Sequence, residues 1–271
     1  MLSEETFLKW QALMVEKAGQ YFSPNKNYLF RQRLTGLYDE TDERGLDLLY
    51  DQVMAAQADG TLLRAVIEAM TTHETQFFRD GAPFDLFRHL LRERFKHRNQ
   101  VGTPTLNIFS AGCSTGEETL SLAMVLDQEL SAHPDRPWHI RAWDIAEETL
   151  KKAHQALFFN LEKRLEWDLI DRYFEKKLGG MQLIPKLRKH ICFENKNLME
   201  VGQLQQRFDF IFCRYVGIYF SKESRETLFR DLTNKLVEGG VLMVGASESI
   251  RGLNDVLERR EHRAIYYYCR R

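Results

Sequence analysis

The sequence predicts an α/β fold in which helices cover both faces of a parallel sheet. From residue 105 onward, short apolar strand-like segments alternate with helix-like segments, and such alternation is typical of parallel sheets. The first 70 or so residues show helical periodicity only, so a small helical bundle precedes the sheet. With 271 residues, the chain has room for one to two domains.

The composition is that of an ordinary globular protein, with 44% hydrophobic and 28% charged residues. Lys and Arg total 38 against 39 Asp and Glu, so the formal net charge is −1 and a cationic coat for nucleic acid or membrane is absent. No run of about 18 consecutive apolar residues occurs, which argues against a membrane span. The N-terminal residues MLSEETFLKWQ are acidic and polar rather than signal-like, so we expect a cytoplasmic protein.

Four cysteines stand at Cys113, Cys192, Cys213 and Cys269, and none is paired at CxxC spacing. A structural zinc site needs four converging ligands, and no His/Cys cluster accompanies these thiols in the sequence. We therefore expect no metal site, and we expect the reduced thiols of a cytoplasmic protein.

A helical N-terminal domain is expected over residues 1–75. Its apolar residues recur at helical spacing. They are Phe7, Trp10 and Met14, then Phe30, Leu34 and Leu37, then Leu46, Leu49, Tyr50 and Val53, and finally Leu62, Leu63, Val66, Ile67 and Met70. Lys26, Arg31 and Arg33 cluster on the second of these predicted helices. They form either a solvated helix face or a docking surface for an acidic partner.

Residues 76–104 are expected to link the two parts of the chain. An amphipathic helix is predicted over residues 84–98, with Phe84, Phe87, Leu90 and Leu91 facing inward. It ends in the basic run RERFKHR, which we expect to lie in solvent. Residues 99–104 then read as a turn into the sheet.

The third region, residues 105–271, carries the predicted sheet. Its strand-like segments are Leu106–Ser110, Ile140–Asp144, Phe208–Cys213 and Val241–Val244. Its helix-like segments are Glu117–Leu130, Glu147–Ala156 and Ser221–Val237. Residues 157–196 break the alternation with a segment at Leu161–Phe174 and a short strand pair at Met181–Ile184 and His190–Glu194. We interpret residues 157–196 as a small β insertion on the sheet.

The most informative stretch is the glycine-containing loop that follows the first predicted strand. Gly112 and Gly116 lack a Cβ atom and so allow a tight turn and close approach to a ligand. The loop lacks the lysine of a phosphate-binding GxxxxGK[ST] motif, and its glycines are not spaced as GxGxxG. Glu117 and Glu118 at the start of the next helix would repel a pyrophosphate. The loop therefore predicts a nucleoside ligand without phosphates, and a cationic one fits best.

Asp144 ends the second predicted strand, about 30 residues after the glycines. An acidic residue at that place accepts hydrogen bonds from ribose hydroxyls in dinucleotide-binding folds. A phosphate-free nucleoside, a ribose-binding acid and further carboxylates near a cation together indicate S-adenosylmethionine. The glycines and the acid alone would fit any enzyme of this fold.

Several sequence blocks, in order and over nearly the whole chain, resemble the CheR-type protein-glutamate methyltransferases of bacterial chemotaxis. The blocks are TTHETQFFRD at 71–80, SAGCSTGEE at 110–118, WDI at 143–145, Asn197-Leu198, FDFIFCRYVGIYF at 208–220, EGGVL at 238–242 and GASES at 245–249. The FFR, STGEE and IFCR blocks in this order are highly specific.

The resemblance implies a Rossmann-like S-adenosylmethionine-dependent methyltransferase domain with a small all-helical N-terminal domain. It implies methyl esterification of glutamate side chains on chemoreceptors, with S-adenosyl-L-methionine as methyl donor and S-adenosyl-L-homocysteine as product. It places Arg79 and Tyr219 near the transferring methyl group. The positions that match the family's cofactor contacts are His73, Thr75, Arg79, Gly112, Glu117, Glu118, Asp144, Asn197, Leu198, Arg214 and Tyr215.

The resemblance also implies a partner, the cytoplasmic methylation helices of transmembrane chemoreceptors, whose acidic surface would meet Lys26, Arg31 and Arg33. Some family members bind a receptor's C-terminal pentapeptide through a small β-subdomain at the place of the insertion. Because the Gly-containing loop is short here, we predict no such tethering. No nucleic-acid partner is expected at this net charge, and we expect a monomer.

Three positions depart from the family pattern. Tyr215 stands where the family has Asn, Gly217 replaces a larger apolar residue, and His73 stands where Asn often occurs. Tyr215 either stacks on the adenine or obstructs it. These departures leave open a non-catalytic S-adenosylmethionine-binding regulatory homologue. The same chemistry on a receptor of a non-flagellar signalling pathway also stays open.

Overall fold

The computed structural model describes residues 2–56, 60–96, 105–131, 133 and 135–271. The predicted turn at residues 99–104 and the end of the basic run before it lie outside the described residues. Among the residues described, no helix has both the length and the apolar character that crossing a membrane requires.

The N-terminal segment folds into short helices around a core of its own. The helices are α1 (Glu4–Ala18), α2 (Tyr28–Arg33), α3 (Gly45–Ala55) and α4 (Thr61–Met70). Helix α1 begins at Ser3, whose side chain accepts a hydrogen bond from the Thr6 amide. It ends at Gly19, whose left-handed φ of 71° satisfies the last carbonyls of the helix. The apolar stripes meet in a buried cluster centred on Trp10 and Phe30.

Helix α5 (Ala82–Lys96) packs directly on the sheet. Phe87 lies edge-on against Phe210 and Phe212, with ring centroids 4.9 and 5.3 Å apart. The inward-facing Phe84 and Phe87 of the predicted amphipathic helix are both buried. The helix therefore belongs to the layer that covers one face of the sheet.

The remaining chain contains the predicted alternation of strands and helices. The strands are β1 (Leu106–Ala111), β2 (Trp138–Asp144), β3 (Leu157–Phe158), β4 (Phe174–Lys177), β5 (Gly180–Leu183), β6 (Ile191–Asn195), β7 (Phe208–Cys213), β8 (Leu236–Val244), β9 (Leu257–His262) and β10 (Ile265–Arg270). The helices are α6 (Glu117–Glu129), α7 (Glu147–Gln155), α8 (Trp167–Tyr173), α9 (Pro185–Arg188) and α10 (Lys222–Asn234). Helix α10 ends before the predicted Val237, because Leu236 already starts β8.

The main sheet has the strand order β6-β2-β1-β7-β8-β10-β9. Strands β6, β2, β1, β7 and β8 are parallel, and β10 runs antiparallel to both β8 and β9. The predicted α/β class is confirmed. From β1 the chain proceeds to β2 on one side, and β7 lies on the other, so a crevice opens at the carboxyl ends of these strands.

The insertion is smaller than predicted. Strands β3, β5 and β4 form a separate antiparallel sheet, in which β4 and β5 are joined by a two-residue turn at Leu178 and Gly179. The predicted pairing of Met181–Ile184 with His190–Glu194 is wrong, because β6 pairs in parallel with β2, Ile191 opposite Ile140. Strand β6 is a short edge strand with polar residues at alternate positions, so its sequence resembles that of a hairpin strand.

The helical segment is joined to the sheet by a carboxylate that caps a helix of the other part. Glu68 in α4 accepts hydrogen bonds from the amides of Glu148 and Thr149 and from the Thr149 hydroxyl, at 3.1, 3.1 and 2.7 Å. These groups lie in the first turn of α7, whose amides have no partner within the helix. The two parts thus meet through a helix cap beside the crevice.

Candidate active site

A cavity of about 260 Å³ opens at the carboxyl ends of β1, β2 and β7. Residues that follow α1 and α4 close its other side. Most of the predicted site residues line it. They are His73, Thr75, Arg79, Gly112, Glu118, Asp144, Asn197, Leu198, Arg214, Tyr215 and Tyr219.

The loop after β1 reaches the cavity through left-handed backbone at Gly112, Ser114 and Gly116, with φ angles of 76°, 50° and 94°. A Cβ atom on Gly112 would lie 2.6 Å from Cγ2 of Val216. Glycine at this position therefore lets the loops after β1 and β7 approach each other closely.

Asp144 is buried at the end of β2. Its two carboxylate oxygens accept hydrogen bonds from the amides of Ser114 and Ala146, at 2.7 and 3.0 Å. Burial raises the pKa of this carboxyl above its ordinary value. The backbone thus holds Asp144 in one orientation at the cavity wall, where each oxygen retains a further lone pair for a ligand hydroxyl.

Glu117 and Glu118 are neighbours in sequence, but their side chains point into different surroundings. Glu117 is buried, pairs with Arg164 and accepts a hydrogen bond from the Thr115 hydroxyl at 2.6 Å. Glu117 does not line the cavity, whereas Glu118 does, so of the two predicted acidic contacts only Glu118 is placed to reach a ligand there. Adjacent residues on a helix point about 100° apart, and here α6 aims Glu118 at the cavity and Glu117 at the insertion.

Arg214 is the buried cation of the cavity wall, with 1% of its side chain exposed. Its guanidinium donates to Glu118 at 3.0 Å, to Asp80 at 2.6 Å and to the backbone oxygen of Arg79 at 2.8 Å. Its Nε has no hydrogen-bond partner within the described part of the chain. A buried donor without a partner costs free energy, so this Nε is an uncompensated polar atom in the wall of the cavity.

Arg79 and Tyr219, which the resemblance places near the reacting atoms, both line this cavity. Arg79 donates to the backbone oxygen of Glu74 at 2.9 Å, and its guanidinium carbon lies 4.2 Å from the centre of the Tyr215 ring. The backbone oxygen of Tyr219 accepts a hydrogen bond from the Tyr21 amide at 2.8 Å. This bond fixes the backbone of Tyr219, so only its side chain can change orientation.

Tyr215 adopts a left-handed backbone conformation, with a φ of 58°. Its hydroxyl donates to Asp80 at 2.5 Å, and its amide donates to Glu248 at 2.6 Å. Burial, together with the hydrogen bond to Asp80, raises the pKa of the phenol above its ordinary value. The departure from the family's Asn therefore places a ring between Arg79 and the loop after β7.

Two predicted cofactor contacts have structural partners of their own. His73 Nε2 lies 3.0 Å from both the Thr71 hydroxyl and the Glu68 backbone oxygen. The Asn197 side chain donates to the Lys17 backbone oxygen at 2.7 Å and accepts from the Met199 amide at 3.0 Å. Both residues tie the helical segment to the rim of the cavity.

Three residues of the site escaped sequence reasoning. Gln20 lines the cavity, is buried, and its Oε1 has no hydrogen-bond partner among the residues described. No signal in the sequence marks it. Asp80 and Glu248 lie within the blocks FFRD and GASES, and only the structure shows that they bind Arg214 and the loop amides.

The three predicted docking residues do not form one helix face. Lys26 lies in a 3-10 turn, Pro24–Lys26, ahead of α2, because Pro24 starts a turn that ends before the helix. Arg33 is half-buried and donates to the Met70 backbone oxygen at 2.6 Å and to the Thr72 hydroxyl at 3.2 Å. Lys26 and Arg31 are exposed.

The cysteines are free thiols. Cys113 and Cys213 are fully buried beside the cavity loops, and burial raises the pKa of both thiols well above the ordinary value. In the residues that the structure describes, no three His, Cys, Asp or Glu side chains converge so as to hold a metal ion.

The chain is similar to known methyltransferases along most of its length. The family model described as "CheR methyltransferase, SAM binding domain" matches residues 73–265. The chemotaxis protein methyltransferase Cher2 of Pseudomonas putida is 31% identical over 255 residues, which cover 92% of each chain. Chemotaxis protein methyltransferase 1 of Vibrio cholerae is 32% identical, covering 95% of this chain and 94% of its own. The chemotaxis protein methyltransferase of Salmonella typhimurium is 31% identical, covering 93% and 86%.

Proposed function

Because the chain belongs to the CheR methyltransferase family, we propose that it methylates glutamate side-chain carboxylates of chemoreceptors. It is a methyltransferase of the chemotaxis type whose methyl donor is S-adenosylmethionine. The observation that carries the finer proposal is one cavity whose lining includes Glu118, Asp144, Arg79, Arg214 and Tyr219. Two carboxylates suit a cationic nucleoside, and two guanidinium groups suit a second, anionic reactant.

The residues present fit S-adenosylmethionine. Asp144 is oriented by two amides and would accept hydrogen bonds from ribose hydroxyls. Glu118 would accept a hydrogen bond from the ammonium of the amino acid end, and Arg214, which pairs with Glu118, would lie near the carboxylate of that end. The start of α6 carries acidic rather than basic residues, which disfavours a phosphate at that helix N-terminus.

The chemistry asks little of the protein beyond alignment. A glutamate side chain with a pKa near 4.3 is already ionised at neutral pH, so its oxygen needs no general base. Bound S-adenosylmethionine supplies an electrophilic methyl group. The C–S bond breaks as the C–O bond forms, sulfonium becomes thioether, and no proton moves. Arg79 would hold the acceptor carboxylate by charge-assisted hydrogen bonds, and Tyr219 would donate another from its phenol.

The partner proposed for this site is the cytoplasmic part of a chemoreceptor, so the protein itself would act in the cytoplasm. Lys26 and Arg31 are the exposed cations that would meet an acidic receptor helix. The turn between β4 and β5 has only two residues, which supports the prediction that the chain does not tether to a receptor pentapeptide. Monomeric state and the division into residues 1–75, 76–104 and 105–271 stay predictions.

The test uses the purified full chain, methyl-labelled S-adenosylmethionine and a receptor cytoplasmic fragment. We expect label that base releases as methanol, because a glutamate methyl ester hydrolyses in base. The matched control is the same fragment with its methylation-site Glu residues changed to Gln. Base-stable label, or equal label on the control fragment, would overturn the glutamate assignment.

A second candidate is a non-catalytic S-adenosylmethionine-binding regulator. It is favoured by Tyr215, whose ring stands beside Arg79 where the family has a smaller Asn. Calorimetric binding of S-adenosylhomocysteine without methyl transfer to any receptor fragment would support this second candidate over the first.

A further inference from the structure

We infer that Tyr215 is a positioning residue, which holds Arg79 and Asp80 in place for the acceptor carboxylate. The inference rests on the proposed function, because it gives Arg79 the role of binding that carboxylate. Tyr215 lies on the loop after β7, whereas Arg79 and Asp80 lie on the segment between α4 and α5. The side chain of Tyr215 therefore joins the two walls of the cavity.

The contacts of the Tyr215 ring are with charged groups. The Arg79 guanidinium carbon lies 4.2 Å from the ring centre, and that of Arg214 lies 5.5 Å away. Both distances are within the range of cation–π attraction. The hydroxyl donates to Asp80 at 2.5 Å, and the same Asp80 oxygen accepts from Arg214 at 2.6 Å. The Tyr215 side chain thus contacts both Arg79 and Arg214, and also Asp80, which itself binds Arg214.

The backbone around these contacts is strained on both sides. Tyr215, Phe78 and Asp80 are all left-handed, with φ angles of 58°, 49° and 69°. A non-glycine residue in this region costs free energy, and such strain persists only where surrounding contacts determine it. For Tyr215 those contacts are the hydroxyl to Asp80 and the amide to Glu248. A Cβ atom on Gly245 would lie 2.7 Å from the Tyr215 ring, so a glycine opposite makes the room it needs.

These contacts favour positioning over adenine stacking. The Tyr215 hydroxyl is engaged with Asp80, the ring is covered by Arg79, and its edge lies against Gly245. Without the ring, the long Arg79 side chain would be held by its contacts with Glu74, and the added contact with Tyr215 fixes it further before the acceptor arrives, which lowers the entropy cost of binding. Tyr215 therefore acts through Arg79, and a smaller Asn at this position would make no ring contact.

The experiment compares Tyr215→Asn and Tyr215→Phe with wild type. Asn tolerates left-handed backbone, so Tyr215→Asn removes the ring without a new backbone penalty. We expect Tyr215→Asn to lower kcat/KM for the receptor fragment about 10-fold, since it removes a cation–π contact and a charged hydrogen bond. Tyr215→Phe keeps the ring and is expected to lose about 3-fold, from the hydrogen bond alone. S-adenosylhomocysteine affinity should change less than about 2-fold in both.

Two further measurements separate positioning from a general structural role. In the Arg79→Ala background, Tyr215→Asn should cost little more, because Arg79, the positioned residue that binds the acceptor carboxylate, is gone. In the free protein, Tyr215→Asn should speed hydrogen exchange of the amides of residues 76–82. The matched control is Tyr266→Asn. Tyr266 is an exposed tyrosine on β10, and the guanidinium carbon of Arg259 lies 3.7 Å from the centre of its ring. This control should leave both activity and exchange of residues 76–82 unchanged.

The outcomes distinguish this inference from the proposed function. If wild type transfers no base-labile methyl group to glutamate, the proposed function fails, and the inferred role falls with it even where exchange shows the contact. If wild type is active, additive losses with Arg79→Ala or unchanged exchange in Tyr215→Asn would overturn positioning. A 10-fold loss of S-adenosylhomocysteine affinity with exchange unchanged would instead make Tyr215 a cofactor contact.

Discussion

Two loops of the cavity, one after β1 and one after β7, form left-handed turns with different kinds of residue. Both turn through left-handed backbone at the end of a buried parallel strand. After β1 the turn uses mainly Gly112 and Gly116, for which this conformation costs little, and Ser114 between them is held by Asp144 through its amide. After β7 it uses Tyr215, which needs Asp80 and Glu248 to hold it.

The difference shows which parts of a site can be recognised from the local sequence and which depend on distant residues. Glycine carries its conformational freedom wherever it stands, so the β1 loop can be recognised from its own residues. Tyr215 is held by partners 135 and 33 residues away in the chain. The β1 loop should therefore fail when its own residues change, and the β7 loop when its partners change.

The largest effect is expected from Gly112→Ala in the β1 loop. The new side chain meets two costs, a left-handed backbone worth about 1–2 kcal/mol and an overpacked contact worth about 1–3 kcal/mol. The contact arises because Cβ would lie 2.6 Å from Val216 Cγ2. We expect a lower free energy of unfolding in denaturant titrations and loss of S-adenosylhomocysteine binding by calorimetry.

Gly252→Ala is the matched control for this change. Gly252 has the same φ of 76° as Gly112, yet nothing lies within 4 Å of its Cβ position. The free energy of unfolding of Gly252→Ala should therefore fall only by the backbone cost of about 1–2 kcal/mol, and ligand binding should be kept. Equal losses in the two variants would show that the loops after β1 and β7 do not need their close approach.

A smaller effect is expected from replacing each of the two acidic residues at the start of α6 by Gln. Glu118→Gln should weaken S-adenosylhomocysteine binding about 10-fold, since it removes a charged hydrogen-bond acceptor facing the cavity, and it should also lower the free energy of unfolding, since it removes the charge that pairs with Arg214. Glu117→Gln should keep the affinity and lower the free energy of unfolding by about 1–3 kcal/mol, because it unpairs a buried ion pair with Arg164. Calorimetry and denaturant titration of both variants check the pair. A reversed result would place Glu117 rather than Glu118 at the ligand.

Sequence reasoning succeeded where a residue's surroundings follow from its neighbours in the chain. Strands β1, β2 and β7 are rich in large apolar residues that the fold buries, so their carboxyl ends and Asp144 could be placed in advance. Strand β9, LERREH, lies at the sheet edge and buries little, so its charged sequence gave no strand signal. The roles of Arg33 and Glu117 depend on Met70 and Arg164, which no local pattern identifies.

The smallest effect is expected at Glu248, the partner that holds the β7 loop through the amides of Tyr215 and Gly245, at 2.6 and 2.8 Å. Burial raises the pKa of the Glu248 carboxyl above its ordinary value. A raised folded-state pKa adds stability below the unfolded pKa of about 4.3, and this contribution is lost as pH rises through the folded value. Glu248→Gln cannot ionise, so it does not suffer that loss.

We therefore expect the free energy of unfolding of Glu248→Gln, relative to wild type, to improve between pH 4 and pH 8, whatever the offset at pH 4. Denaturant titrations of both proteins at several pH values measure this difference, and all other titrating groups cancel in it. A difference that stays constant with pH would mean that Glu248 titrates as in the unfolded chain. In that case the hydrogen bonds that the Tyr215 and Gly245 amides donate to Glu248 would fully offset the effect of burial on its carboxyl, and the β7 loop would be held by a carboxylate at no electrostatic cost.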